Sequence, residues 1–336
     1  MPNVNLLLLL PAVAGLLVPP TAAPLPALRA AVIIPGFLSD ANDFRELAET
    51  LTARGLPTAV VPMSLLDWLP VIGGRSVRPV LERVDLAVRH VAAMGKKAED
   101  SRTPLSVPAV GGYGLPSLVL DFLDNPGGVA AVGGSAEPDE FPRDVSPRGI
   151  FPQAPPPLGR VAVIGHSAGG YIGRIYCSSR AYGGKAYAGL PLVHSLVTLG
   201  TPHAVGSGVP FVQIKWANAE PFPAGLRCLT VAGSGTPGSG SGALTEGAYS
   251  FCTPDGTGSG LLDGDGITPT FSALELPGAD SMVLPGVTHY PFSCAPFADL
   301  VAPELTASYR GGKPWYGTAG EAALDRWLPW LLDGAA

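Results

Sequence analysis

One stretch in the middle of the chain, residues 161–177, constrains the fold more than any other. Its sequence is VAVIGHSAGGYIGRIYC. The first five residues are β-branched or small and apolar, and a proline-rich segment precedes them, so they predict a buried strand. Apolar residues then recur at helical spacing after Gly170. The stretch therefore predicts a strand, a tight turn and a helix, with Ser167 at the turn.

Ser167 is flanked by Gly165 and Gly169 in the pattern G-x-S-x-G. A serine on such a turn has a strained backbone that pushes its hydroxyl clear of the sheet, and the glycines avoid collisions of a Cβ with the adjacent strand or helix. The N-terminal N–H groups of the helix point toward the same place. These features predict that Ser167 is a nucleophile. The alternative is a glycine-rich connection whose serine has no catalytic part.

A serine nucleophile requires a histidine base and an acid that orients it. Among the five histidines, His289 follows a short apolar run, residues 281–287, that predicts a strand. It also has the place of the base in the chain order Ser, Asp or Glu, His that is typical of doubly wound hydrolases. His194 and His203 precede every plausible acid and are predicted to be structural. His289 is therefore the predicted base.

The segment 261–269, LLDGDGITP, offers two aspartates as the acid. We prefer Asp265, because the glycine and proline that follow it place it on a tight turn, and Asp263 is the substitute that the sequence leaves open. An Asx turn or a calcium loop is the alternative, but the sequence lacks the further ligands of a calcium loop.

The oxyanion hole is the remaining part of such a site. Residues 30–34, AAVII, predict an early strand of the sheet, and a Pro-Gly turn follows them. In this architecture one N–H group comes from the residue after the nucleophile, here Ala168, and another from the loop after the early strand, here Phe37 or Leu38. An ordinary Pro-Gly turn is the alternative.

The motifs IIPGF, VIGHSAGG, TLGTPH, DGITP and THYP occur in this order. With them, residues 29–332 resemble the α/β-hydrolases of the lipase and esterase kind, and more narrowly the lipase-like hydrolases of plants, algae and cyanobacteria that are related to GPI inositol-deacylases. The resemblance implies an α/β-hydrolase fold, with a mostly parallel sheet and helices on both faces. It also implies hydrolysis of an acyl ester by Ser167 as nucleophile, Asp265 as acid and His289 as base, with no cofactor or metal.

The predicted core spans residues 29–98 and 159–333, in which strands alternate with helices as in a parallel sheet. Residues 99–158 lose this alternation and are rich in proline and glycine. Because this long irregular insertion directly precedes the nucleophile strand, we predict that it forms a cap or lid over the site. A solvated surface insertion is the alternative. A second glycine-rich region, 233–260, predicts a flexible access loop.

The insertion contains one apolar segment, residues 115–123, in which Leu115 and Leu118 are candidates for substrate contact. Leu38 and His166, which lie beside the predicted site, are further candidates for substrate contact. The apolar segment and the resemblance favour lipid esters as substrates, with transient contact to a membrane or lipid surface. A thioesterase or acyltransferase would use the same triad, and a hydrolase-fold binding protein without activity is the third alternative.

Residues 1–23 form an apolar leader that ends in small residues typical of a cleavage site. The leader predicts targeting to the secretory pathway, or to a plastid if it is bipartite, and Pro11 leaves it too short for a typical membrane span.

The formal charge is -6 and the sequence has no basic block. Because phosphate binding needs clustered Lys and Arg, composition argues against a nucleic-acid partner.

The cysteines do not decide the compartment. Two of them, Cys252 and Cys294, lie in the predicted loops around the acid and the base. A disulfide between these two would brace the site, and buried free thiols are the alternative.

Overall fold

The computed structural model describes residues 24–68, 77–108, 155–207, 209–256, 258–289, 315 and 321–333. The strands are, in chain order, β1 (Ala27–Ile34), β2 (Thr58–Val60), β3 (Arg160–His166), β4 (Val193–Leu199), β5 (Arg227–Ser234), β6 (Thr236–Pro237), β7 (Asp263–Gly264) and β8 (Asp280–Pro285). A six-stranded sheet has the order β2-β1-β3-β4-β5-β8, and all its neighbouring strands are parallel. The two short strands β6 and β7 pair antiparallel.

Helices cover both faces of this sheet. They are α1 (Arg45–Ala53), α2 (Arg78–Met94), α3 (Lys96–Glu99), α4 (Ala168–Cys177), α5 (Val209–Asn218), α6 (Ala243–Phe251), α7 (Thr270–Leu274) and α8 (Glu321–Asp333). Successive residues of β1 face opposite sides, so Val32 and Ile34 pack in one buried cluster with α2 and α4. Ala31 and Ile33 pack in a second cluster with α1 and α8. The predicted α/β architecture is confirmed, and burial on both faces explains the continuous apolar run of β1.

The access loop predicted over residues 233–260 is wrong in one respect, because this region contains the helix α6. Tyr249 of α6 is fully buried, and its hydroxyl donates a hydrogen bond to the carbonyl oxygen of Thr236 at 2.8 Å. This contact ties the helix to β6. Glycine-rich composition predicts a loop from local propensity, and tertiary contacts override that propensity here.

Most of the predicted cap or lid, residues 109–154, lies outside the described residues, together with Leu115 and Leu118. The beginning of the insertion belongs to the core. The N–H group of Leu105 donates to the carbonyl oxygen of Thr58 at 2.9 Å, and the side chain of Leu105 is buried in the cluster that contains α2. The core therefore extends beyond the predicted boundary at residue 98.

The leader, residues 1–23, and Cys294 also lie outside the described residues. The other three cysteines, Cys177, Cys228 and Cys252, are buried free thiols. Burial, and then the charge of the nearby Asp265, raise the pKa of Cys252 to about 12. Within the part of the chain that the structure describes, no helix has the length and apolar character needed to cross a membrane.

Candidate active site

Ser167 lies on a sharp turn between β3 and α4, at the carboxyl edge of the sheet. Its backbone angles are φ 50° and ψ -123°, a conformation that costs a non-glycine residue about 1–3 kcal/mol. The N–H group of Ser167 donates to the carbonyl oxygen of Leu199 at 2.8 Å, and its carbonyl oxygen accepts a hydrogen bond from the Thr201 hydroxyl at 2.7 Å. Leu199, at the end of β4, and Thr201, two residues later, therefore hold the strained turn through the N–H group and the carbonyl oxygen of Ser167.

The flanking glycines allow the turn to pack tightly. A Cβ on Gly165 would lie 2.5 Å from the backbone of Gly169, and a Cβ on Gly169 would lie 2.2 Å from the carbonyl oxygen of Ile34 in β1. These are collisions with the helix and with the neighbouring strand, as the sequence predicts. Ser167 is partly exposed, and its hydroxyl makes no capping bond with the described part of α4.

His289 and Asp265 form a buried pair at the same edge of the sheet. Nδ1 of His289 donates to Oδ2 of Asp265 at 2.7 Å, and both side chains are 0% exposed. The other carboxylate oxygen, Oδ1, accepts the N–H groups of Ile267 at 3.0 Å and Thr268 at 2.7 Å. In addition, the N–H group of His289 donates to the Asp265 carbonyl oxygen at 2.9 Å. Backbone and side chain together fix the pair.

The two candidate acids have different places. Asp263 is exposed, and both of its carboxylate oxygens accept the N–H group of Gly235, at 2.9 and 3.0 Å. Asp265 instead lies on the predicted tight turn, and the hydroxyl of Tyr249 accepts the N–H group of Gly266 at 2.9 Å. The structure therefore brings Asp265, and not Asp263, to His289. The supporting contact from α6 was missed by the sequence reasoning.

Gly200, the first residue after β4, lies against the buried pair. Its φ is 59°, and a Cβ at this position would lie 2.6 Å from Oδ2 of Asp265 and 3.1 Å from Nδ1 of His289. The preceding residue, Leu199, accepts the N–H group of Ser167. Leu199 and Gly200 thus lie close to all three predicted members of the triad.

The loop after β1 passes over the turn that carries Ser167. A Cβ on Gly36 would lie 3.0 Å from Cβ of Ser167. The N–H group of Ser39 donates to the Gly36 carbonyl oxygen at 3.1 Å, so Phe37 and Leu38 are the central residues of a β-turn. Leu38 has a φ of 60° and is half-buried. The structure therefore brings the predicted oxyanion loop to the start of α4, where Ala168 lies.

Two other histidines have partners within the fold. His194 lies at the amino end of β4, opposite the sheet edge that carries the Ser167 turn. Its Nε2 donates to the backbone carbonyl oxygen of Leu28 in β1 at 3.3 Å, and its Nδ1 accepts a hydrogen bond from the Ser195 hydroxyl at 2.9 Å. Burial lowers the pKa of His194 to about 4. His203 contacts the Arg174 guanidinium at 3.3 Å and the Thr198 hydroxyl at 3.2 Å. Burial, and then the charge of Arg174, lower the pKa of His203.

His166, a predicted substrate contact, is 1% exposed, and the structure shows its ring packed against His289. Its Nε2 donates to the carbonyl oxygen of His289 at 3.0 Å, and the two imidazole centroids are 4.8 Å apart. Nε1 of Trp315 donates to the same carbonyl oxygen at 3.2 Å. Sequence reasoning missed Trp315, since no local motif marks it.

Two cavities, of about 430 and 940 Å³, share Arg174 in their walls, and Ser167, Asp265 and His289 line neither of them. Within the described ranges, no group of three His, Cys, Asp or Glu side chains is arranged to hold a metal ion.

Neither a protein-family model nor a curated protein matches the sequence. The class of the chain therefore follows from its fold: it is an α/β protein with a mainly parallel central sheet.

Proposed function

We propose that the protein is a serine hydrolase with an α/β-hydrolase fold, which cleaves carboxylic esters through Ser167, His289 and Asp265. The observation that carries this proposal is the buried hydrogen bond of 2.7 Å between His289 and Asp265, at the sheet edge that also carries the strained Ser167. Ser167 follows β3, Asp265 follows β5, and His289 follows β8. This is the chain order Ser, Asp, His of the α/β-hydrolases.

The chemistry proceeds in two steps. Because Nδ1–H of His289 donates to the carboxylate, Nε2 is the basic nitrogen that takes the hydroxyl proton of Ser167. The serine oxygen attacks the ester carbonyl carbon, and His289 gives the proton to the departing alcohol. An acyl group then remains on Ser167. In the second step His289 takes a proton from the water that attacks the acyl carbon, and it then gives this proton to the oxygen of Ser167 as the carboxylic acid leaves.

The negative charge that develops on the ester carbonyl oxygen requires donors close to Ser167. The N–H group of Ala168, at the start of α4, is one such donor. The second is the N–H group of Phe37 or Leu38, in the turn that passes over Ser167. This chemistry uses no cofactor or metal.

Lipid acyl esters are the proposed substrates. The apolar segment that contains Leu115 and Leu118 and the half-buried Leu38 beside the turn support this assignment. In the proposed enzyme, residues 109–154 of the insertion cover the site as a lid and contact a lipid surface transiently. The leader of residues 1–23 directs the chain to the secretory pathway or to a plastid.

The test measures, with the purified full-length protein, the hydrolysis of acyl esters and acyl thioesters and the transfer of the acyl group to an added alcohol. We expect hydrolysis of short- and long-chain acyl esters by the parent, and loss of this hydrolysis in Ser167→Ala. Ser178→Ala, at the other end of the same helix, is the matched control and should keep the parental rate. Preference for acyl thioesters, or transfer to an added alcohol in place of hydrolysis, would assign a different reaction to the same residues. A folded parent that acts on none of these substrates would contradict the proposal.

A further inference from the structure

We propose that His166 and Trp315 are positioning residues, which hold the backbone carbonyl of His289 and thereby fix the orientation of its ring toward Ser167. This inference rests on the proposed function, in which His289 is the base. It assigns a role to two buried side chains that the reaction itself does not use.

The two contacts converge on one oxygen atom. Nε2 of His166 lies 3.0 Å from the carbonyl oxygen of His289, and Nε1 of Trp315 lies 3.2 Å from it. Since a carbonyl oxygen only accepts hydrogen bonds, both nitrogens are donors. Both side chains are almost entirely buried, at 1% and 0% exposure. Each hydrogen bond satisfies an N–H group that burial would otherwise leave without a partner, at a cost of about 1–3 kcal/mol.

These contacts complete the hydrogen bonding of the His289 backbone. Its N–H group donates to Asp265, and its carbonyl oxygen accepts the two donors. The ring is held separately, through Nδ1 and the Asp265 carboxylate. A shift of the backbone would therefore change the position of the ring or stretch its bond to Asp265. A misplacement of about 1 Å in a catalytic group can cost about 100-fold in rate.

His166 is suited to this position because it stays neutral. Burial lowers its pKa well below the ordinary value, and the charge of His289 lowers the pKa further. When His289 takes the proton of Ser167, the neighbouring ring at 4.8 Å does not compete for that proton. His166 thus contributes a hydrogen-bond donor and a packing surface without a second base.

Trp315 connects the pair to the helix α8. Its carbonyl oxygen accepts Nε1–H of Trp327 at 3.3 Å. Its ring also lies close to Gly200, since Cζ2 would be 3.0 Å from a Cβ at that position. Trp315 therefore packs beside the Asp265 and His289 pair, and α8 supports it from outside.

Three variants of the full chain separate the hydrogen bonds from simple packing. His166→Leu removes the donor, His166→Gln keeps an N–H group near the position of Nε2, and Trp315→Phe removes the indole N–H together with part of the ring. We expect His166→Leu and Trp315→Phe to lower kcat for ester hydrolysis by about 10–100-fold with little change in KM. His166→Gln should recover most of this loss.

The matched control is Trp330→Phe. Trp330 is on α8, and its Nε1 donates to the Asp280 carboxylate at 2.8 Å, at a half-exposed position. This change also removes an indole N–H, so it should leave kcat at the parental value. If His166→Leu and Trp315→Phe lowered only Tm and kept the parental kcat, the positioning role would be overturned.

A second readout separates this inference from the proposed function. The Nδ1 proton of His289 should give a low-field signal in the proton NMR spectrum, identified by its absence in Asp265→Ala. We expect a sharp signal in the parent and in His166→Gln, and a signal broadened by exchange in His166→Leu and Trp315→Phe. If the parent hydrolyses no ester, the proposed function fails, and this signal alone decides the inference. An equally sharp signal in all four proteins would overturn it.

Discussion

Nδ1 of His289 lies 2.7 Å from Oδ2 of Asp265, and solvent reaches neither side chain. A second hydrogen bond joins the same residues, from the N–H group of His289 to the carbonyl oxygen of Asp265. A histidine held in this way has one tautomer and one orientation, and the carboxylate stabilises its protonated form. The reaction proposed for Ser167 depends on this relationship.

The first prediction compares the two neighbouring aspartates. Asp265→Asn should lower kcat for ester hydrolysis by about ten-thousand-fold, because an amide in place of the carboxylate favours the wrong tautomer of His289. Asp263→Asn is the matched control, since Asp263 is exposed and its carboxylate accepts the N–H group of Gly235. Its kcat should stay close to that of the parent. Equal losses in the two variants, measured by steady-state kinetics, would show that Asp265 has no special role.

The second prediction concerns the close approach of Gly200 to the buried pair. Gly200→Ala places a Cβ 2.6 Å from the Asp265 carboxylate, so we expect a loss of about 1–3 kcal/mol in the free energy of unfolding together with a lower kcat. Gly225→Ala separates the backbone strain from the collision, because Gly225 has a φ of 85° with nothing within 4 Å of its Cβ position. The control should lose some stability and keep its kcat. Parental kcat in Gly200→Ala would contradict the prediction.

The third prediction tests the support that α6 gives to Asp265. Tyr249→Phe leaves the N–H group of Gly266 without its acceptor, so the free energy of unfolding should fall by about 1–3 kcal/mol, with a lower kcat. Tyr187→Phe removes a buried hydroxyl that donates to Glu82 at 3.0 Å, away from the triad. It should lower stability without a change in kcat. If urea unfolding and kinetics show the same pattern for both variants, α6 does not position the acid.

The fourth prediction concerns stability at acidic pH. Burial lowers the pKa of His194 from 6.5 to about 4, and the pKa values of His166 and His203 are lowered in the same direction. Below pH 6.5 the unfolded chain therefore binds more protons than the folded protein, so the free energy of unfolding falls as the pH decreases.

His194→Gln should remove the contribution of one histidine to this fall, about 2 kcal/mol between pH 7 and pH 5. The measurement is urea unfolding of parent and variant at the two pH values. An identical decrease in both proteins would show that His194 does not cause the acid sensitivity.

Much of the fold could be predicted because its signals are local. The apolar run of β1, and the strand, G-x-S-x-G turn and helix around Ser167, depend on residues that are adjacent in the chain. The placement of His289 followed from chain order, since the carboxyl ends of parallel strands meet at one edge of the sheet. The collisions at Gly165 and Gly169 were also predictable, because a tight turn leaves no room for a Cβ.

The contacts that could not be predicted join distant parts of the chain. His166 and His289 are 123 positions apart, and no periodicity or motif relates them. The choice between Asp263 and Asp265 depends on the pairing of β6 with β7, which directs one carboxylate to Gly235 and the other to His289. The helix α6 lies within the glycine-rich region 233–260 and is tied to the core by the tertiary hydrogen bonds of Tyr249.

Covalent labelling with a fluorophosphonate probe tests whether Ser167 is a nucleophile activated by His289. The adduct on the full chain would be located by mass spectrometry of its peptides. We expect one adduct on Ser167, which is absent from Ser167→Ala, strongly reduced in His289→Ala and undiminished in Ser178→Ala. A correctly folded parent that stays unlabelled, or that carries the adduct on another residue, would contradict it.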